Sequence, residues 1–423
     1  MHNKTKKILV LSVLIGWFGQ IAGVAAEPLH RISSETCKSC HKEIYKQWKG
    51  SMHANSTALK DPIHGTFYRK VVGDPTKEGV KKKGKYPVCL QCHAPNAARD
   101  KMTKLDAKPA YSEGVNCVGC HLLEKYNGIQ GKNGKLMLGM KSYKSSDQLQ
   151  GPQGFNRGLE KLTASNDVFG GANGGDDSKP NPHLGSAVTL DGKEVPSMPM
   201  KANASLMKSN EACMGCHDQR NNPHGVPLCA TGNEYVDSQS DVTCQYCHMP
   251  MVGNLADHSM GGGHHKGMLK RSLIFTLDAE PKGGKLMTTA KLKNQQPHSL
   301  PTGAPFRNIY LKLSAYDAEG NLVWENAKGH PGKADPKAYL AYRLKDDKGD
   351  PTIPPKATQL GKDSRLKPHE ERTFNYEIPS KGVVLVRGEV YYNLLWNTLQ
   401  SKFKHLPEEV RTPQLISTAE VTL

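Results

Sequence analysis

The sequence predicts an α+β chain in two parts: an N-terminal part of short helices and loops, and a C-terminal antiparallel β-sandwich. Two observations predict this division. Every C-x-x-C-H repeat of the chain lies before residue 249, where the connecting segments are irregular and rich in glycine. After residue 268 there is no cysteine, and apolar residues alternate with polar ones, as in strands with one buried face.

The C-x-x-C-H pattern occurs five times, and we number the copies motif 1 to motif 5. Two cysteines three apart lie on one helical turn, where their thiols can form thioethers with the vinyl groups of one porphyrin. The following histidine can then bind the iron from the proximal side. We therefore predict five covalently bound haems c. The attachment cysteines are Cys37, Cys40, Cys89, Cys92, Cys117, Cys120, Cys213, Cys216, Cys244 and Cys247, and the proximal histidines are His41, His93, His121, His217 and His248.

Zinc and disulfides are the alternatives for so many cysteines. Zinc ribbons combine two C-x-x-C pairs per metal ion and do not require a histidine directly after each pair. Ten cysteines in an exported chain can also form five disulfides. Neither alternative explains why a histidine follows every pair, so haem is the favoured interpretation. No catalytic residue is predicted from the cysteines, because the remaining one, Cys229, resembles a buried and inert thiol.

Residues 1–26 are predicted to be a secretory signal peptide. Lys4, Lys6 and Lys7 precede an apolar run from Ile8 to Ile21, and Val24-Ala25-Ala26 fits the small-residue cleavage rule. The apolar run is short for a membrane span, and no later segment is predicted to cross a bilayer. We therefore expect a periplasmic, secreted or cell-surface protein without a transmembrane segment in its mature form. The predicted domains are 27–268, with all five haems, and 269–423, the β domain.

The net charge and the composition indicate which kinds of partner the protein binds. The formal charge of +17 includes the three signal-peptide lysines. Ten haem propionates and five ferric centres would bring the mature protein to about +9 when oxidised and about +4 when reduced. This mild charge argues against nucleic-acid binding and is compatible with redox protein partners. An apolar content of 37% and an aromatic content of 6% are low for this length, so porphyrin faces are expected to supply much of the core.

In the β domain, several segments are predicted as strands. Ile309 to Tyr316 reads as a strand, and residues 317–321 form the turn into Leu322-Val323-Trp324. Gly382 to Val386, Glu389 to Tyr392, and Leu415 to Val421 follow the same pattern. In the N-terminal part, Gly170 to Gly175 reads as a glycine-rich connection. These signals predict strands but not their order.

The haem region resembles the multihaem cytochromes of the cytochrome c-552/c-554 family. Motif 1, with the Tyr45, Trp48, Ser51 and His53-Ala54 that follow it, is similar to the opening of that domain. Residues 113–117, motif 4, and residues 234–250 are similar to its later attachment sites, and residues 258–264 resemble its glycine-histidine segment. Residues 297–303 resemble the entry to its appended β domain, with Pro297 in place of glycine. The resemblance implies electron transfer through closely spaced haems.

We predict the distal iron ligands from this resemblance and from turns that contain glycine or proline. His53, His183 and His258 match ligand positions of the family. His264 and His298 lie in turns punctuated by glycine or proline, where the backbone can approach a porphyrin closely. His265 competes with His264, and His30, His64 and His224 are the reserves. Met249 and Met251 are expected to be packing residues.

Three functions remain open at this stage. An electron-transfer protein with mostly bis-histidine haems is favoured, since every motif ends in histidine and enough further histidines are present. The alternative is a haem oxidoreductase that acts on a small nitrogen or sulfur compound at one haem with an open coordination site. The third is a subunit of an extracellular cytochrome conduit. The sequence identifies neither the electron donor nor the acceptor, and it does not reveal the oligomeric state.

Overall fold

The structure, a computed structural model, describes residues 27–153, 181–190, 192–222, 224–253 and 255–423. The predicted signal peptide and the connection Gly170 to Gly175 lie outside these residues. In the described part, the chain has short helices and ribbons up to residue 270 and two larger antiparallel sheets after it. The α+β class is therefore confirmed.

The N-terminal part consists of short helices that begin at local capping signals. The side chain of Ser33 accepts a hydrogen bond from the amide of Glu35, and that of Asp61 accepts from the amides of Ile63 and His64. The longest described helix has ten residues, and none of the described helices could cross a membrane. The helices of this part are α1 (Ser34–Lys38), α2 (Lys42–Gly50), α3 (Pro62–Val71), α4 (Leu90–His93), α5 (Pro95–Arg99), α6 (Pro109–Ser112), α7 (Cys117–His121), α8 (Ala204–Met207), α9 (Glu211–His217), α10 (Thr231–Asp237), α11 (Cys244–His248) and α12 (Lys266–Lys270).

Five two-stranded ribbons connect these helices, and one of them, β3 with β6, is parallel. A 3₁₀ turn, Pro182–Leu184, carries His183. No described strand of this part is longer than four residues, so the ribbons position loops and do not build a sheet core. The strands are β1 (Leu123–Tyr126), β2 (Tyr143–Ser145), β3 (Leu149–Gly151), β4 (Val188–Leu190), β5 (Lys193–Val195), β6 (Met200–Ala202), β7 (Arg220–Asn221), β8 (Pro227–Cys229), β9 (Met251–Val252) and β10 (Leu255–Ala256).

The C-terminal part contains two antiparallel sheets. The first has the order β11-β12-β17, and the second has the order β16-β15-β13-β18-β19, with β14 paired to β13. Three short helices, α13 (Pro331–Ala334), α14 (Asn397–Lys402) and α15 (Glu408–Arg411), connect or flank the strands. The strands are β11 (Leu273–Lys282), β12 (Lys285–Asn294), β13 (Asn308–Tyr316), β14 (Leu322–Glu325), β15 (Tyr339–Lys345), β16 (Gln359–Asp363), β17 (Glu371–Pro379), β18 (Leu385–Asn393) and β19 (Gln414–Thr422).

The predicted strand segments lie in this part as strands, with one difference. Residues 309–316, 322–324 and 415–421 fall within β13, β14 and β19. Residues 382–386 and 389–392 together predict one β segment, and the strand β18 that they form begins only at residue 385 and ends at residue 393. Gly382 lies in the turn before it with a φ of 75°, a conformation that favours glycine.

One apolar core joins the two sheets and extends into the haem region. It includes Leu286 and Leu292 of β12 and Leu311 and Leu313 of β13, all nearly inaccessible to solvent. Ile63 of α3 belongs to the same core. The boundary predicted at residue 268 stays a prediction, since side chains from both parts share this core.

Polar contacts also cross between the two parts. The Asn222 side chain donates hydrogen bonds to the carbonyls of Pro354 (2.9 Å) and Ala357 (2.6 Å). The Phe67 ring of α3 stacks on Phe306 with 5.4 Å between ring centres. The C-terminal sheets are therefore docked on the haem region through buried side chains.

Candidate functional site

Each C-x-x-C-H motif lies on one helical turn. In motif 1 the amide of His41 donates to the Cys37 carbonyl at 2.9 Å, and in motif 2 the amide of His93 donates to the Cys89 carbonyl at 3.0 Å. This turn places both cysteine side chains and the histidine on one side of the helix. The local geometry therefore fits two thioether bonds and one axial ligand to a single porphyrin. All eleven cysteines are free thiols in the described chain.

Three of the predicted proximal histidines face a predicted distal histidine. The ring centres are 6.1 Å apart for His41 and His183, 6.0 Å for His217 and His53, and 6.3 Å for His248 and His298. Two imidazoles on opposite sides of one metal ion have ring centres roughly 6 Å apart, because each metal–nitrogen bond is about 2 Å long. The observed spacings leave room for one iron in each pair.

His258 lies close to His121, the proximal histidine of motif 3. Burial, and next the neighbouring His121 imidazole, lower the pKa of His258 below its ordinary value. The His258 amide donates to the Gln47 side chain at 2.9 Å, so α2 holds the backbone of this residue. His121 and His258 are therefore the fourth pair of predicted ligands that the fold brings together.

The second ring nitrogen of many of these histidines is hydrogen-bonded to a backbone carbonyl. An Nδ1–H that donates to a carbonyl leaves Nε2 with the lone pair that binds a metal, and it also orients the ring. The Nδ1 contacts are His93 with Ser56 (3.1 Å), His121 with Gln150 (2.8 Å), His183 with Met198 (2.9 Å), His248 with Gly261 (2.6 Å), His258 with Ala256 (2.7 Å) and His298 with Ser299 (3.1 Å).

Burial keeps these imidazoles neutral, which is the form that binds iron. It lowers the pKa of His53 to about 4 and that of His217 to about 3, with smaller contributions from neighbouring imidazoles and, for His217, from Arg220. Burial also lowers the pKa of His41, His121 and His298. The donor set thus suits a haem iron in both tautomer and charge.

Motif 2 differs from the others. Its proximal histidine, His93, lies beside the reserve candidate His64, with ring centres only 4.0 Å apart. The Nδ1 atoms of both rings contact the same carbonyl, that of Ser56, at 2.9 Å for His64 and 3.1 Å for His93. The two rings therefore lie side by side, and this spacing leaves no room for an iron between them.

A cavity of about 310 Å³ opens next to His93. His264, the distal ligand predicted from its glycine-rich turn, lines this cavity together with Phe67, Phe306 and Arg307. Burial, and next Arg307, lower the pKa of His264 to about 4. The competing His265 is engaged elsewhere, because its Nδ1 accepts a hydrogen bond from the Met268 amide at 3.1 Å and caps α12.

Side chains of different motifs meet in a defined order. The thiols of Cys37 and Cys117 interact, which joins motif 1 to motif 3. Cys216 interacts with Cys92 of motif 2, while Cys213 interacts with Cys244 of motif 5. Cys120 of motif 3 acts electrostatically on both motif 4 thiols. Motif 4 therefore adjoins motifs 2, 3 and 5, and motif 1 adjoins motif 3.

Two half-buried arginines have buried N–H groups without an acceptor among the described residues. These are Nε and Nη2 of Arg99 and Nε of Arg220. Burial lowers the pKa of Arg99 to about 10, and its neighbour Asp100 is already bonded to His30, Arg31 and Tyr111. Buried donors without partners are costly, and a haem brings two propionate carboxylates that can accept from them. The unpaired N–H groups of Arg99 and Arg220 therefore suit haem propionates as hydrogen-bond partners. Sequence analysis missed both residues, because nothing in the sequence around them is distinctive.

The other histidines and Cys229 lie away from these pairs. His30 binds Asp100 at 2.9 Å, and His224 is exposed. His330 is half-buried, whereas His369 and His405 are exposed in the C-terminal part. Burial raises the pKa of the Cys229 thiol, which agrees with the inert thiol expected from the sequence.

Comparisons with known proteins agree with this site. The family model described as cytochrome c554 and c-prime matches residues 36–122 and 178–249, which include all five motifs. A solved structure, the penta-heme cytochrome c552 from Thermochromatium tepidum, is 58% identical in sequence and superposes with a TM-score of 0.87. The match covers 94% of this chain and 100% of that chain.

Two further comparisons add nothing to this result. A DUF1425 family member from Shewanella sp. pv-4 is 13% identical over 29% of this chain and 74% of that chain, and its TM-score is 0.15. That score is too low to support any argument. No curated protein sequence matches this chain at a comparable level of significance.

Proposed function

This chain belongs to the multihaem c-type cytochromes, with five covalently bound haems and the role of an electron carrier, and from that premise we propose a periplasmic or exported electron wire. Each haem iron can accept or donate one electron at a time. We number the haems by their motifs. The proposed wire passes electrons between two redox protein partners through closely spaced haems, most of them held by two histidines.

The contacts between motifs carry this proposal. Motif 1 adjoins motif 3, motif 3 adjoins motif 4, and motif 4 adjoins motif 5, so the order of transfer would be haem 1, 3, 4 and 5. Haem 2 would be a branch at haem 4, because Cys92 interacts with Cys216. Contacts between attachment cysteines imply that the adjoining porphyrins also lie close together.

For haems 1, 4 and 5 the proposed ligands follow from the ring geometry, and for haem 3 they follow from the electrostatic contact between His258 and His121. His41 and His183 would hold haem 1, His121 and His258 haem 3, His217 and His53 haem 4, and His248 and His298 haem 5. Two neutral imidazoles on one iron exclude other ligands, which favours electron transfer over substrate binding. For haem 2, His93 is the proposed proximal ligand and His264 the proposed distal one. The ten cysteines of the motifs are the proposed covalent attachment sites.

The C-terminal part, proposed as residues 269–423, would act as a β-sandwich that covers the haem 5 side. His298 lies in the segment between β12 and β13, and its ring faces that of His248. The Asn294 side chain donates to the His298 carbonyl at 2.8 Å, and the Ser299 amide donates to Glu234 of α10 at 3.1 Å. These contacts would hold the distal ligand in place across the boundary between the two parts.

Export is proposed from the N-terminal sequence. The segment 1–26 would direct secretion and be removed, which places the remaining chain where c-type haems are attached and used. The sequence leaves open whether the protein stays in the periplasm or reaches the cell surface.

His258→Ala tests the proposed ligand set of haem 3. Loss of one imidazole should convert one of the five haems from low spin to high spin and allow one carbon monoxide to bind per chain. Electron paramagnetic resonance and carbon monoxide titration measure both changes. His224→Ala, at an exposed histidine, is the matched control and should change neither. A His258→Ala protein that stays fully low-spin would show that the assignment is wrong.

The cavity at motif 2 favours a second candidate function. It is lined by apolar rings, by Asp61 and by Arg307, and the Arg307 guanidinium suits a small anion such as a nitrogen or sulfur oxyanion, although Asp61 offsets part of its charge. If His264 does not bind the iron, haem 2 has an open site, and the protein would be a haem oxidoreductase. If His264 binds it, the electron-transfer proposal holds throughout the chain.

Carbon monoxide binding separates these two functions. With His264 as a ligand, the native reduced protein should bind no carbon monoxide, whereas His264→Ala should bind one molecule per chain. The spectral change on titration gives the stoichiometry. One molecule bound by the native protein, unaffected by His264→Ala, would favour the oxidoreductase.

A further inference from the structure

We propose that the lysine face of α2 is the docking surface for an acidic redox protein that exchanges electrons with haem 1. We call this face, formed by Lys42, Lys46 and Lys49, the α2 lysine face. The proposal rests on the proposed function, since it assigns one end of the wire to a partner of defined charge.

The attachment site of haem 1 lies closest to solvent. Cys40 is exposed, whereas the other nine attachment cysteines are half-buried. His41 directly precedes α2 at its N-cap position, so the helix begins next to the proposed proximal ligand. A partner bound along α2 would therefore lie next to the haem 1 attachment edge.

The three lysines share one side of the helix. Positions 42, 46 and 49 are spaced by four and three residues, which places them above one another on an α-helix. All three are exposed, and none forms an ion pair within the described residues. Lys38 lies at the start of the face and Lys60 at its end. Burial lowers the pKa of Lys60, and the nearby Lys49 lowers it further.

The neighbouring acids cancel only part of this charge. Glu35 is bonded to Lys38 at 2.7 Å and accepts a hydrogen bond from Tyr45. Glu43, the other acid of this stretch, lies three residues before Lys46, so it can offset one of the three lysine charges, although the two side chains form no ion pair within the described residues. The face therefore presents a net positive charge to an approaching protein.

The opposite side of α2 touches the proposed redox centres. Gln47 accepts a hydrogen bond from the His258 amide at 2.9 Å, and buried Trp48 donates to the Val115 carbonyl at 2.9 Å, two residues before motif 3. A helix with its side chains is about 10 Å thick. A partner on the α2 lysine face would thus be separated from the haem 1 and haem 3 ligands by a single helix.

The other end of the proposed wire has a different surface. Around motif 5, Tyr246 is 74% exposed, and exposed Val236, Val242, Asp237 and Asp241 lie nearby in the sequence. Exposed Arg271 also lies near motif 5 and acts electrostatically on Cys247, but Asp237 and Asp241 offset its charge, so this end would attract an acidic partner less strongly than the α2 lysine face. Complementary charge steers association and orients the encounter, so an acidic protein should approach haem 1 and not haem 5.

The test is the rate of electron transfer from reduced flavodoxin, used as an acidic one-electron protein, to the full-length holoprotein. Lys42→Glu, Lys46→Glu and Lys49→Glu together should lower the second-order rate constant by roughly ten- to a hundredfold at low ionic strength. The dependence of this rate on salt should weaken in the same variant. The matched control, Lys81→Glu, Lys82→Glu and Lys83→Glu, changes the net charge equally in a separate loop and should have a small effect.

Equal losses in both triple variants would overturn the proposal, because net charge alone would then explain the rate. No loss in either variant would overturn it as well. Reduction by a small neutral reductant reports on the wire itself and should be the same in all three proteins. Failure of that reaction in the native protein would contradict the proposed function, and not the docking surface. If the glutamate variant loses haem, the triple lysine-to-glutamine variant takes its place and should show a smaller loss in the same direction.

Discussion

Replacing Cys213 and Cys216 with alanine is expected to stop electron transfer from haem 1 to haem 5. These two cysteines attach haem 4, and their thiols interact with those of Cys244 in motif 5 and Cys92 in motif 2. Among the contacts of the described chain, only motif 4 adjoins motif 5. Loss of haem 4 would therefore leave haem 5 without a neighbouring haem to reduce it. A ruthenium photosensitiser attached to a cysteine introduced at Lys42 would start the reaction at haem 1. Transient absorption should then show that reduction of haem 5 is lost.

The matched control removes a haem outside the proposed route. Cys89→Ala with Cys92→Ala takes away haem 2, the branch, and should leave transfer from haem 1 to haem 5 close to the native rate. The number of remaining haems is four in both variants, so a general loss of packing would slow both equally. Native transfer rates after loss of haem 4 would contradict the proposed order.

His298→Ala should produce the second large effect, a change of spin state at haem 5. The His298 ring lies 6.3 Å from that of His248 and nearly parallel to it, with 21° between the planes. Loss of this imidazole should leave one haem in the high-spin state and allow one carbon monoxide to bind per chain. His298→Met should instead keep that haem low-spin and raise its reduction potential by on the order of 100 mV.

An exposed histidine of the same domain gives the control. His369→Ala should leave both the spin state and the potentials unchanged, since His369 lies at the surface. A His298→Ala protein with five low-spin haems would show that His298 is an ordinary turn residue. Because the haem region contributes Ile63 to the core of the C-terminal sheets, point substitution is a sharper test than truncation of the domain.

The sequence predicts the proximal half of each haem site from a local pattern. A cysteine pair and its histidine need only one helical turn, which a short pattern specifies. The distal half depends on contacts across long stretches of chain. His53 faces His217 and His183 faces His41, and no spacing rule joins residues so far apart. For these positions, the prediction rests on the resemblance to a family.

Other features of the site have no sequence signal. Arg99 and Arg220 are unremarkable in the sequence, and only their burial without acceptors marks them. His64 was a reserve ligand, and only the fold shows that its ring lies beside His93. The order of the motifs in space also differs from their order in the chain, since motif 3 adjoins motif 1.

In the C-terminal part, alternation of apolar residues predicted strands correctly because one face of each sheet is buried. β13, one of the predicted segments, shows the pattern, with Ile309, Leu311 and Leu313 buried and with Tyr310 and Lys312 half-buried between them. The pairing of β12 with both β11 and β17 is a non-local choice that periodicity does not encode. The sequence therefore identified strands without giving their arrangement.

The relative positions of the five irons test the central claim most directly. Anomalous X-ray scattering at the iron edge, from crystals of the holoprotein, locates each iron without reference to the chain. We expect the iron of haem 4 to neighbour those of haems 2, 3 and 5, and the iron of haem 1 to neighbour that of haem 3. An arrangement with haem 2 between haems 3 and 5, or with haem 1 apart from haem 3, would contradict the proposed wire.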